Sequence, residues 1–277
     1  MTTSSDRTIS TIDAQGRDKG SQQVFFCISA LLFVASATIT ILLCRSMSGM
    51  GGMRMPGGWT MSMVWMRIPN FTWIRAMAAF LGMWVVMMVA MMLPSLIPML
   101  QRYRQSLDRV AGTLRSWHTL LVGLGYFFVW TLFGLAAYLI GIALTTAMMQ
   151  QLAVARAVPV AAGVVVLIAG LFQFTRCKAR HLACCNEGSG NDCTLAANAS
   201  TAWRHGLRLG FHCSVCCAGL MAILLVVGIM DLRAMAVVAA VITIERLAPA
   251  SQRVVRVVGI FIICTGLVLI ARASGIV

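Results

Sequence analysis

Of 277 residues, 60% are hydrophobic and only 11% are charged, against about 45–50% and about 25% in an ordinary soluble domain. So much apolar surface excludes a soluble globular fold and points to an all-α, polytopic transmembrane helix bundle, because lipid leaves each backbone amide no partner but its own helix. The formal net charge of +14 comes without a soluble basic face carrying aromatics, which excludes nucleic acid as a partner and leaves anionic membrane lipids.

Residues 1–23 are polar, lack apolar periodicity and read as a disordered cytoplasmic tail. The apolar run 24–44 has no small-residue cleavage site at its end and reads as a retained first span, not a signal peptide. Further spans are expected near 74–100, 119–146, 157–175, 209–229, 230–248 and 254–271, the sixth being the weakest, for six or seven crossings of a single membrane domain over 24–277. Of the 22 Lys and Arg residues, 15 fall in the tail and the even-numbered connections and seven on the opposite side. Basic loops are retained in the cytoplasm, so the N-terminus is expected there.

The connection 45–73 is then external and rich in Met and Gly. Met47, Met50, Met53 and Met55 lead it, with Met61, Met63 and Met66 behind them. Thioethers are neutral and soft, which suits Cu(I) on the side where thiols oxidise. Met and Trp at this place also fit an interfacial belt touching headgroups.

The second span carries a stripe of Met83, Met87 and Met91 at every fourth residue, with Met88 and Met92 beside it. Such a stripe serves core packing. Pro94 and Pro98 in the same run remove backbone donors and suggest a broken helix lining a pathway.

Residues 176–208 form a Cys-rich connection, expected to be cytoplasmic, with Cys177, Cys184, Cys185 and Cys193; Cys213, Cys216 and Cys217 open the fifth span in "FHCSVCCAGLM". On the reducing side a thiol more often binds metal or cycles redox state than forms a structural disulfide. Cys213 lies three residues from Cys216 and four from Cys217, so the three sulfurs can share a helix face and one soft ion, Cu(I) foremost with Zn(II) as a second choice. His181, His212 or His205 could add an imidazole. Small residues easing helix contact give the alternative, helped by Gly206 and Gly210 at GxxxG spacing.

Asp231 and Glu245 are separated by about 20 Å of helix, too little to hold both outside a ~30 Å hydrocarbon core. One carboxylate is therefore drawn inward, functional in itself or paired with neighbouring Arg246 or Arg233. No hydrolase or nucleotide motif is present.

The segments "MWVVMMVAMMLPSLIP", "FQFT...K......CC", "GLRLGFHCSVCCAGLM" and "GIMDL......ITIER" resemble the signature blocks of the bacterial family known as domain of unknown function 2182, predicted metal-binding integral membrane proteins. The resemblance implies a bacterial inner-membrane location and a metal-binding role. It carries over to Trp84, Met91, Met92, Pro94, Cys185, Cys213, Cys216, Cys217 and Glu245. His181 stands where the pattern has Cys, Cys184 where it has His, Arg176 replaces a Pro and Ala218 a Trp. Three functions stay open: a carrier or delivery component for a copper-class ion, served by a metallochaperone; a thiol-disulfide oxidoreductase using Cys213 and Cys216; or a structural subunit of a larger membrane complex.

Overall fold

The computed structural model describes residues 3–48, 52–54, 60–62, 73–107, 112–187, 198–229, 231–248 and 251–274. Eight helices are assigned among them: α1 (Thr3–Ser48), α2 (Trp73–Ser106), α3 (Gly112–Gln150), α4 (Leu152–Phe172), α5 (Arg176–Glu187), α6 (Ala199–Val227), α7 (Leu232–Leu247) and α8 (Ser251–Ala273). A two-stranded antiparallel hairpin, β1 (Gly52–Arg54) and β2 (Thr60–Ser62), sets Met53 opposite Met61. The tail over 1–23, expected to be irregular, is helical from Thr3. Once the apolar run has nucleated α1, each added residue costs one further step of propagation and no new nucleus.

Among the described residues six helices are long and apolar enough to cross a membrane: Gly20–Ser46, Trp73–Ser106, Gly112–Gln150, Ala153–Phe172, Ala199–Val227 and Gln252–Ala273. Their outward faces carry exposed Leu31, Ile140, Ile168 and Phe261, the surface a bilayer covers. The sixth predicted span is the 16-residue α7, shorter than the others. It nevertheless returns the chain to the end of the bundle where α4 stops, since Glu245 meets Gln173 there. Asp231 caps α7, accepting from the backbone N–H of Arg233 at 2.8 Å and of Ala234 at 3.3 Å, while Glu245 is buried. Asp231 is thus the carboxylate at the margin and Glu245 the one drawn inward. Between α6 and α7 the turn rests on Gly228, whose φ of 131° only glycine adopts without strain.

Two helix pairs form the frame. α3 runs parallel to α6, and α4 runs antiparallel to α8. Along the first seam Gly125 faces the backbone of Trp203, Gly206 that of Val122 and Gly210 that of Tyr126, so close that a Cβ on any of them would meet main-chain atoms. Lipid tails are as apolar as leucine, so this close approach is what holds such helices together. α2 lies against α3 and α7. Trp84 fills the space left by Gly134 and donates its indole N–H to the Trp130 carbonyl at 3.0 Å. Hydroxyls within the helices are satisfied locally: Thr131, Thr146, Thr243 and Thr265 each donate to the carbonyl four residues back.

Pro94 and Pro98 lie inside α2, which continues through both of them to Ser106. The expected break is therefore absent, and the bundle packs around the prolines: Ser95, Leu96 and Leu93 are all buried. Proline inside a membrane helix persists where neighbouring groups take over the freed backbone.

Replacing Gly206 by Ala is expected to drive a methyl into the Val122 backbone and cost about 1–3 kcal/mol. Gly123→Ala, where a Cβ meets nothing within 4 Å, should be neutral or stabilising by up to ~1 kcal/mol. Thermal unfolding of the two variants in detergent measures the difference.

Candidate metal centre

Cys213 is the middle residue of α6 (Ala199–Val227). The helix begins ten residues upstream of the predicted span, in the amphipathic run through Arg204 and Arg208, so the cysteines lie at its centre and not at its mouth. All three are buried, at 0%, 2% and 3% exposure for Cys213, Cys216 and Cys217. They do not share one environment. Cys213 and Cys217 belong to the main core, whereas Cys216 packs with Leu182 and Val255 in a separate cluster. At 100° per residue Cys217 lies about 40° to one side of Cys213 and Cys216 about 60° to the other, which is enough to aim them into different interfaces.

The Cys213 sulfur is 2.9 Å from the Tyr126 hydroxyl on α3. The same extended core that takes in Cys213 and Cys217 also contains Met87, Met88, Met91 and Met92 of α2 and Met221 of α6. Met83, the first of the predicted stripe, is half-buried against that core. The stripe on α2 and two thiols of α6 are therefore parts of one continuous sulfur-rich interior.

His181 and His212 meet between α5 and α6 with their Nδ1 atoms 2.7 Å apart. Both are half-buried, with His212 one turn before Cys216 on α6 and His181 next to Leu182, on which Cys216 packs. His205 stacks on Tyr103 with centroids 5.3 Å apart, which commits its ring to packing. Cys184 and Cys185 lie on the backbone of α5, one turn beyond His181, and Cys177 is exposed on the same helix; the side chains of Cys184 and Cys185 lie outside the described residues. So do the side chains of Met47 and Met53, at the end of α1 and in β1, and the whole of Met50 and Met55. Among the described residues no group of three or more His, Cys, Asp or Glu side chains surrounds a single point.

Glu245 has a partner that its own neighbourhood in sequence does not suggest. Neither Arg233 nor Arg246 pairs with it in the structure. Lys178 of α5 does, with Nζ 2.7 Å from Oε2 and both side chains buried. Gln173, at the end of α4, donates to Oε1 at 3.3 Å and accepts from Lys178. Arg246, also buried, points elsewhere and donates to Ser95 Oγ of α2 at 3.3 Å. Lys178, Gln173, Tyr126 and Ser95 are all polar groups in or beside apolar runs, and that was the signal available in the sequence. Their pairing depends on helix register, which the sequence does not print.

Lys178→Met is expected to leave Glu245 charged and alone in the core and to cost about 3–5 kcal/mol. The double variant Lys178→Met, Glu245→Gln should recover most of that. Thermal denaturation of the reduced protein in detergent reads both, and equal losses in the single and double variants would show the pair to be energetically idle.

Among known proteins, the family described as PpoB2, copper chaperone, matches residues 81–269. The match takes in α2 from its third turn, all of α3 to α7 and most of α8, including every buried sulfur discussed above. No curated protein and no solved structure matches the chain. With more than half of its length matched, the chain belongs to the PpoB2 copper chaperone family.

Proposed function

We propose that the protein is a membrane-embedded handler of a soft monovalent ion, Cu(I), in the cytoplasmic membrane of a bacterium, accepting it on methionines and delivering it from a buried thiol site. The observation that carries this reading is that Cys213 and Cys217 share one interior with Met87, Met88, Met91 and Met92. Thioethers and thiolates together select Cu(I) over hard ions. Two sulfurs suit an ion content with low coordination, whereas structural Zn(II) asks for four ligands, so Zn(II) is the weaker candidate. The separation of Cys216 from Cys213 argues against the redox pair on which the oxidoreductase reading depended.

The direction of movement in this proposal is inward. Neutral thioethers hold Cu(I) loosely and anionic thiolates hold it tightly, so an ion collected by Met47, Met50, Met53 and Met55 moves toward stronger ligands without a nucleotide motor. The membrane potential adds about 2.3 kcal/mol per 100 mV for one positive charge entering. An N-terminus in the cytoplasm is supported by the basic residues at one end of the bundle, among them Arg102, Arg104, Arg115, Arg176 and Arg204. His181 and His212, half-buried beside α5, and Cys184 and Cys185 on that helix are the groups from which a soluble metallochaperone or a larger complex would collect the ion.

Three measurements test the proposal. Purified reduced protein should hold close to one equivalent of Cu(I), released by acid because protons compete for sulfur, and full occupancy in a Cys213→Ser, Cys216→Ser, Cys217→Ser variant would remove this site. A membrane-impermeant thiol reagent should leave Cys177 and Cys193 unmodified in intact cells until the membrane is opened; labelling of either in intact cells reverses the orientation. Copper or silver uptake into vesicles should fall both in the triple Cys variant and when Met47, Met50, Met53 and Met55 are changed to Leu. Equal uptake by wild type and both variants, or none above empty vesicles, would rule out transport.

A further inference from the structure

We infer that Tyr126 is the positioning residue of the ion site: its hydroxyl donates a hydrogen bond to the Cys213 sulfur, fixes where that sulfur stands, and replaces solvent for the thiolate formed when a soft ion binds. The inference rests on the reading of Cys213 as a ligand and adds to it the group that prepares the ligand.

The glycine seam between α3 and α6 sets the distance. Gly210, one turn before Cys213, lies against the Tyr126 main chain, and Gly206, a further turn back, against that of Val122. With no side chain between the two backbones at these levels, the phenol on α3 reaches the next turn of α6. Its oxygen ends 2.9 Å from the Cys213 sulfur. Phe127 packs against the ring edge to face, with centroids 5.2 Å apart and planes at 88°. Tyr126 and Cys213 are both 0% exposed, so no bulk water competes for either group. Among the described residues this contact is the only hydrogen bond of the phenol.

The hydrogens available decide which way the bond runs. In the reduced, metal-free protein either the thiol or the phenol can donate. A thiolate has no hydrogen left, so after ion binding only the Tyr126 hydroxyl can supply one. The binding step breaks the Cys213 S–H bond, forms a sulfur–metal bond and releases the proton to solvent. No electron moves, and the tyrosine O–H stays intact. An anionic sulfur in a dry interior is costly unless a donor faces it. Tyr126 stands there before the ion arrives, so no helix has to move to stabilise the thiolate. Groups that orient a metal ligand in this way are worth about 10–100-fold in metal affinity.

The test uses the full-length reduced protein in detergent, with Cu(I) affinity read by competition against a chromogenic Cu(I) chelator. Tyr126→Phe keeps the ring and deletes the donor, and should weaken Cu(I) at least about tenfold. The second readout is fluorine NMR of protein labelled with meta-fluorotyrosine. The chain has three tyrosines, Tyr103, Tyr126 and Tyr138, so each signal is assigned by its own Phe variant. Cu(I) should move the Tyr126 signal further than the other two, and Cys213→Ser should abolish that response. Wild-type affinity in Tyr126→Phe overturns the inference, and so does a Tyr126 signal that moves no more than that of Tyr103 while the ion loads. Should Tyr126→Phe fail to fold, the fluorine signal of the otherwise unaltered chain decides. Wild-type Cu(I) binding by Cys213→Ser would instead overturn the ligand reading itself, and the role of Tyr126 with it.

Discussion

A carboxylate held inside an apolar bundle must find a cation there, and most of this architecture can be traced from how Glu245 finds Lys178. The pair joins the last turn of α7 to the first turn of α5, and Gln173 adds the end of α4. The adjoining ends of α4 and α5 are thereby tied to α7, 72 and 67 residues further along the chain, at one level of the bundle. With Glu245 so matched, Arg246 is turned about 100° round α7 and joins it to α2 through Ser95. Buried ion pairs add little net stability, since desolvation consumes most of the attraction. Their value here is positional: they decide which face of α7 meets which helix.

The helical class and the membrane character were legible because both rest on local composition. Long apolar runs predicted α2, α3, α4 and α8 to within a few residues of their centres, and GxxxG spacing at Gly206 and Gly210 suggested close helix packing, whose partner, α3, only the structure shows. Helix ends were less legible. α6 starts at Ala199, well before the hydrophobic run, because an amphipathic stretch continues a helix without raising hydropathy. That difference moved the cysteines from the mouth of a span to its middle.

Individual site residues were also visible, as types: clustered Cys, striped Met, a carboxylate too deep to stay outside. Their partners were not. Glu245 lies 67 residues from Lys178, Tyr126 lies 87 from Cys213, and Ser95 lies 151 from Arg246. Helical periodicity fixes neighbours three and four residues away, but contact between helices depends on which faces pack and at what height. For the same reason the spacing of Cys213, Cys216 and Cys217 suggested one shared face, while the packing of α5 and α8 on one side and α2 and α3 on the other divides them.

The brevity of α7 has a consequence for the bilayer itself. Sixteen residues span about 24 Å, against ~30 Å of hydrocarbon, and Val237, Ile244 and Leu247 on its outer side are exposed to whatever surrounds the bundle. Lipid that covered this helix from end to end would have to compress, or tilt its headgroups inward, at a cost of a fraction of a kcal/mol per Å of mismatch. A bilayer that met this flank along the whole of α7, which is shorter than the six helices long enough to cross, would be dimpled there. Thin bilayers fit that flank better than thick, sterol-stiffened ones, so the lipid composition of the host membrane becomes a variable in how firmly the short helix, and the charged residues at its end, are held in place.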